Sequence, residues 1–250
     1  MLEEPYRWVE AVRNRREYLE DQLRSAAPVV GLSFDRGLVL LTSTPGPRKI
    51  FEVYNQVAFA AIGHPADIEK LRKAVIDIAH VEAFNFSESD ISLQRLVSFG
   101  VGPLIKSAFD EIFRSPYTAR GLMAELDPPD DQDALYMIDA DGSFISARDA
   151  AVVGGNAAGA PALRRRLGEA GSGLPLQEAL RRAIEVWAAG RLMETDEADP
   201  DEEQVAEFLG RELAGTRLEA AVLDRTLPTK TKFRLLADDE LREVTASYSS

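Results

Sequence analysis

Val29-Val30-Gly31-Leu32-Ser33-Phe34, Asp35-Arg36-Gly37 and Leu38-Val39-Leu40-Leu41-Thr42 follow one another without interruption and set the architecture of the chain. A short apolar, β-branched run, an Asp-x-Gly turn and a second apolar run make a β-hairpin. Upstream, Val12, Leu19 and Leu23 recur at helical intervals among Arg, Glu and Asp, which predicts a helix over 9–24, between Pro5 and Pro28. Downstream, Pro45-Gly46-Pro47 leads into a second hairpin, with strands over 49–53 and 57–62. The second of these, Val57-Ala58-Phe59-Ala60-Ala61-Ile62, is apolar throughout and is expected to be buried on both faces. Gly63 ends it, and Asp67 can cap a helix whose inner face carries Ile68, Leu71, Val75, Ile78 and Ala79.

A second long helix is predicted over about 90–113, with a kink at Pro103. Strand signals return at 119–125, 134–138, 143–146 and 150–155, followed by helices near 160–168 and over 175–189. Two more strands, 218–223 and 232–236, and a helical turn at 238–244 complete the pattern. Strands come in hairpin-linked groups and helices in pairs between them, unlike the alternation of a parallel doubly wound sheet. The expected fold is α+β: a four-layer αββα sandwich, two antiparallel sheets flanked by helices, plus the N-terminal helix. No linker or repeat divides residues 1–250, so a single domain is expected.

Acids outnumber bases 42 to 29, for a formal charge of -13, which argues against nucleic-acid binding and against a basic membrane-surface protein. No apolar run approaches the roughly 18–20 residues that span a bilayer. The start, Met1-Leu2-Glu3-Glu4-Pro5, lacks a signal-peptide layout, so a cytoplasmic location is expected. Without cysteine and with two histidines, disulfides, zinc–thiolate sites and poly-His metal cages are excluded, and no cofactor or metal is expected. Eight acids and no base lie between Glu194 and Glu207; the other 34 acids face 29 bases, a balance of -5. Residues 194–207 are therefore expected to be an acidic, flexible, self-repelling loop.

Several segments together resemble the proteasome subunit family. Lys49-Ile50-Phe51-Glu52-Val53 followed by Phe59-Ala60-Ala61-Ile62-Gly63-His64-Pro65-Ala66-Asp67 is similar to its Lys-led strand, Ala-rich strand, Gly and Ala-Asp helix start. Leu135-Tyr136-Met137-Ile138-Asp139-Ala140-Asp141-Gly142 resembles a family hairpin, and Val152-Val153-Gly154-Gly155-Asn156 the strand end that follows. Pro116-Tyr117 and Leu218-Glu219-Ala220-Ala221-Val222-Leu223-Asp224-Arg225-Thr226 look like the actinobacterial-type α subunit, as does the helix around Glu10–Glu17. The order and spacing of these segments, from about residue 9 to 236, carry the resemblance.

That resemblance implies an N-terminal-nucleophile hydrolase fold used without its chemistry. The catalytic threonine of β subunits starts the first strand, activated by its own amine; here Ala27 falls at that place, and Ser43 falls near the family's catalytic carboxylate. Only Lys49 has a counterpart, so no catalytic residue is assigned. The implied function is that of an α subunit: a seven-membered ring of copies, stacked on a β ring, that admits unfolded protein substrates and docks an AAA-type ATPase or other activator. Residues 1–8 correspond to a gating tail, with Pro5, Tyr6 and Trp8 as gate residues. Lys49, Gly63 and His64 correspond to the pocket that takes an activator's C-terminal carboxylate, His64 departing from the aliphatic residue often found there. A solvated surface lysine is the plain alternative for Lys49, and a frayed end for the tail.

Two other functions compete: an active hydrolase processed near Ser25, two residues out of place, and a stand-alone oligomeric binding protein of the same fold. Gly154–Gly159 lacks the spacing of a phosphate loop, Asp139-Ala140-Asp141-Gly142 lacks the ligands of a calcium loop, and both read as turns.

Overall fold

The computed structural model describes residues 5–85, 92–111, 113–126, 133–156, 159–168, 173–194 and 198–248. Among the described residues, ten strands form two five-stranded sheets. One runs β10-β9-β2-β1-β8, built from β1 (Val29–Phe34), β2 (Gly37–Ser43), β8 (Ala150–Val153), β9 (Leu218–Asp224) and β10 (Phe233–Leu235). The other runs β3-β4-β5-β6-β7, from β3 (Ile50–Tyr54), β4 (Val57–Gly63), β5 (Ala119–Glu125), β6 (Ala134–Ile138) and β7 (Phe144–Ala147). All the pairings are antiparallel, and Phe34 pairs with Gly37 across the expected turn.

The alternation of side chains across each strand explains the apolar runs. On β2, Leu38 and Leu40 face the layer between the sheets, while Val39 and Leu41 face outward under helices. On β4, Ala58, Ala60 and Ile62 fill the middle layer, while Val57, Phe59 and Ala61 meet the opposite helices. Gly31 lets the sheets approach: a Cβ there would lie 3.0–3.2 Å from Leu122, Leu40 and Leu135. One outer layer contains α2 (Pro65–Asn85), α3 (Leu93–Arg95), a π-helical segment (Leu96–Val101) and α4 (Gly102–Asp110). The other contains α5 (Ala160–Leu167), α6 (Leu176–Leu192), α7 (Glu202–Glu212) and α8 (Asp238–Thr245). The αββα sandwich is as expected, and the irregularity anticipated at Pro103 takes the form of the π turn just before it.

Two assignments depart most from expectation. The N-terminal helix, α1, spans Pro5–Leu23, so Pro5, Tyr6 and Trp8, assigned to a tail preceding it, belong to its first turns. Proline at the first helical position costs no hydrogen bond and presets φ, which favours an earlier start. Residues 1–4 of that tail lie outside the described residues.

The acidic segment 194–207 is not wholly a loop either. Residues 195–197 lie outside the described residues, but Glu202 to Glu207 open α7. Asp201 Oδ1 accepts from the Gln204 amide, and Gln204 Oε1 accepts from the Asp201 amide, both at 2.8 Å, a reciprocal capping box. Glu202 and Glu203 sit in the first turn, where the helix dipole favours negative charge. Val205 and Leu209 are buried, and Phe208 packs 6.1 Å from Trp187.

Candidate functional site

A cleft of about 1020 Å³ opens where the entry to β1, the end of β2, the start of β3 and the end of β4 converge. Lys49, Gly63 and His64 all line it, together with Ala27, Ser43 and Ser25. The three residues assigned to activator binding are thus brought to one place, around the position where a nucleophile would stand. Trp8 is 45% exposed and does not line this cleft, although Tyr18 and Gln22 from the same helix do.

Lys49 is held by its backbone from across the sandwich. Its amide donates to Glu219 Oε2 at 2.9 Å, and the Ile50 amide donates to Glu219 Oε1 at 3.1 Å. One buried carboxylate on β9 therefore satisfies two amides at the edge of the other sheet. The side chain turns back so that Nζ donates to the Ser43 carbonyl at 3.0 Å. Ser43 Oγ in turn accepts from Trp187 Nε1 at 3.2 Å. Burial lowers the Lys49 ammonium's pKa, opposed by Glu219 and Glu194 and assisted by Arg191.

Gly63 has φ +121°, and a Cβ there would lie 2.1 Å from the Thr118 carbonyl oxygen. Glycine alone fits this turn, which lets the His64 amide donate to that same carbonyl at 2.8 Å. His64 then organises the start of α2: its carbonyl accepts from Asp67 and Ile68, and its Nδ1 accepts from Ala66 at 3.2 Å. Asp67 Oδ2 accepts from the Thr118 amide at 3.1 Å and Oδ1 from Lys70 at 3.0 Å. The imidazole's first task is therefore a helix start, with its exposed edge left at the cleft wall.

Four participants escaped sequence reasoning: Glu219, Trp187, Arg191 and Glu194. Arg191, in the last turn of α6, lines the cleft and donates to Glu194 Oε1 at 2.9 Å. Burial pushes the Glu194 carboxyl up to about 7, against the opposing pull of Arg191 and Lys49. Glu219 carried a readable signal, a charged residue second in a strand, Leu218–Asp224, that is buried throughout. Glu194 was grouped by charge with its acidic neighbours, and nothing local distinguishes it.

Chemically, the cleft offers the cations Lys49, Lys70, Arg191 and Arg217 against the carboxylates Asp67 and Glu212, with a methyl group at Ala27. It suits the binding of an anion, and Ala27 supplies no nucleophile. Among the described residues, no group of three His, Cys, Asp or Glu could hold a metal. No helix among them is long and apolar enough to cross a membrane.

A family model described as proteasome subunit matches residues 24–202, beginning one residue after α1 ends. The chain is also similar to curated proteins named proteasome subunit alpha. The one from Actinosynnema mirum is 30% identical over 227 residues, covering 90% of this chain and 80% of the relative. The one from Kineococcus radiotolerans is 29% identical over 226 residues, 90% of each. For the Streptomyces avermitilis protein the figures are 26% over 234 residues, 93% of this chain and 85% of the relative.

Proposed function

The chain belongs to the proteasome subunit family, as an α subunit, and we propose that it forms the non-catalytic entrance ring of a protein-degrading chamber. Seven copies close into a ring that stacks on a ring of β subunits, where peptide bonds are cut. The N-terminal segment, with Pro5, Tyr6 and Trp8 in the first turns of α1, gates passage of unfolded substrates. The Lys49 cleft receives the C-terminal carboxylate of a ring-shaped ATPase or another activator, with Gly63 and His64 forming the adjacent wall. The work is done inside the cell, in the cytoplasm.

The observation that carries this reading is the pairing of Ala27 with Lys49 in one open cleft: the cation is present and the nucleophile is not. An ammonium that spends one donor on the Ser43 carbonyl has others to offer a carboxylate, worth about 1–3 kcal/mol when partly desolvated.

The test is co-expression with a β subunit, followed by sizing and electron microscopy. A stacked-ring particle is expected; a chain that never assembles beyond a single ring removes the proteasome role. In the particle, Lys49→Ala should abolish activator-stimulated degradation and leave assembly intact. Mass spectrometry settles the hydrolase alternative, because cleavage before Ser25 would be required for it.

A further inference from the structure

We infer that Arg191 is a second carboxylate-binding residue of the cleft, which thereby selects a partner C-terminus bearing an acidic side chain beside its terminal carboxylate. This rests on the reading of the Lys49 cleft as a docking site and adds to it the chemistry of the occupant.

Arg191 reaches the cleft from the last turn of α6, and its side chain remains 35% exposed although it is ion-paired. Its partner, Glu194, lies just beyond the helix end, 15% exposed, in the field of both Arg191 and Lys49. A carboxylate thus already occupies the Arg191 guanidinium, supplied from within the chain. It is a poor occupant: burial raises its pKa to about 7, so near neutral pH much of it is protonated and holds Arg191 weakly.

The other charges around the cleft favour an acidic visitor. Lys70 is matched by Asp67, and Glu212 by Arg211. Arg217 lines the same cleft, is exposed, and has no ion-pair partner among the described residues. Glu219, the remaining nearby acid, is committed to the Lys49 and Ile50 amides. A visiting terminal carboxylate takes Lys49. A second carboxylate on the same segment takes Arg191 and displaces Glu194, which picks up a proton as the negative charge beside it increases. Arg191 suits this exchange because its fork offers two parallel donors to a carboxylate.

The experiment is calorimetric titration of the full-length chain at pH 7 with two synthetic peptides, acetyl-Gly-Gly-Glu-Ala and acetyl-Gly-Gly-Gln-Ala, both with free C-terminal carboxylates. The acidic peptide is expected to bind about tenfold more tightly, the size of one charge-assisted pair. Arg191→Gln should reduce that preference to about onefold while leaving the Gln peptide's affinity within about twofold. Glu194→Gln, which removes the internal competitor, should enlarge the preference, and its opposite direction guards against a misfolded arginine variant. Lys49→Ala should weaken both peptides equally. Equal affinity for the two peptides, or a preference that survives Arg191→Gln, overturns the inference and leaves the docking reading standing. Binding that ignores Lys49→Ala, or none at all, overturns the docking reading and the inference with it.

Discussion

Arg120 on β5 and Lys49 at the entry to β3 are both cations held within the sandwich, and they are satisfied in opposite ways. Arg120 is 5% exposed. Its Nε donates to Asp139 at 2.8 Å, its Nη1 to the Gly155 and Gly154 carbonyls at 2.8 and 3.3 Å, and its Nη2 to Glu20. Burial pulls against its charge, but Asp139 and Glu20 more than offset that and raise its pKa. Lys49 has one hydrogen-bond acceptor for its ammonium among the described residues, and its pKa is lowered by burial. A cation with every donor nitrogen engaged ties elements together: Arg120 joins α1 through Glu20 to the β6 exit and the β8 exit. A cation left short of acceptors at the wall of an open cleft keeps donors that no group of the fold takes up among the described residues. Burial alone does not separate a charge spent inside the fold from one with donors to spare; the count of occupied donors does.

The sharpest way to break this contrast is to remove each charge. Arg120→Met should destabilise the chain by about 2–4 kcal/mol in urea denaturation, because it strands two carbonyls and frees α1 from its anchor. The loss stays below that of a fully buried network because Glu20 and Asp139 keep 40% and 47% of their side chains in water. Lys49→Met should change stability by less than about 1 kcal/mol while ending activator response. Equal stability losses at the two positions would dissolve the distinction.

A smaller effect tests the acid beside Lys49. The folded pKa of Glu194, about 7, lies above the usual value of 4.5 for a free glutamate. Its contribution to stability is therefore fully present below pH 4.5 and lost as pH rises through 7. Glu194→Gln should make the chain more stable at pH 8, by about 1–3 kcal/mol, with little change at pH 4. Thermal unfolding at the two pH values measures this, and an equal change at both would deny the shift. The smallest effect concerns a surface element with no buried charge. Asp201→Ala should cost about 1 kcal/mol and loosen α7, measured by amide exchange along Glu202–Glu212.

The strands were legible because each hairpin advertises itself locally. Leu38 to Leu41 needs two buried faces, and the Asp-x-Gly turn before it fixes the direction of return. The family segments singled out Lys49, Gly63 and His64, and these three line one cleft. What surrounds them was hidden for a geometric reason. Glu219 reaches Lys49 across 170 residues and Trp187 reaches Ser43 across 144, and no local pattern reports such encounters. The helix α7 was hidden for a different reason. Its cap and first two helical residues are acids, so a charge count sees repulsion where the Asp201–Gln204 box and the Val205, Phe208 and Leu209 spacing spell a helix. The excess of acid is thus partly structural: three of those residues stabilise the helix that packs over Trp187.

The carboxylate of Glu219 also imposes a timetable. A ribosome releases Lys49 long before it reaches residue 219, and domains complete themselves only when their distant strands arrive. Until β9 slides in beside β2, the amides of Lys49 and Ile50 lack the carboxylate that fixes them. A half-made chain therefore has its lysine but no finished cleft.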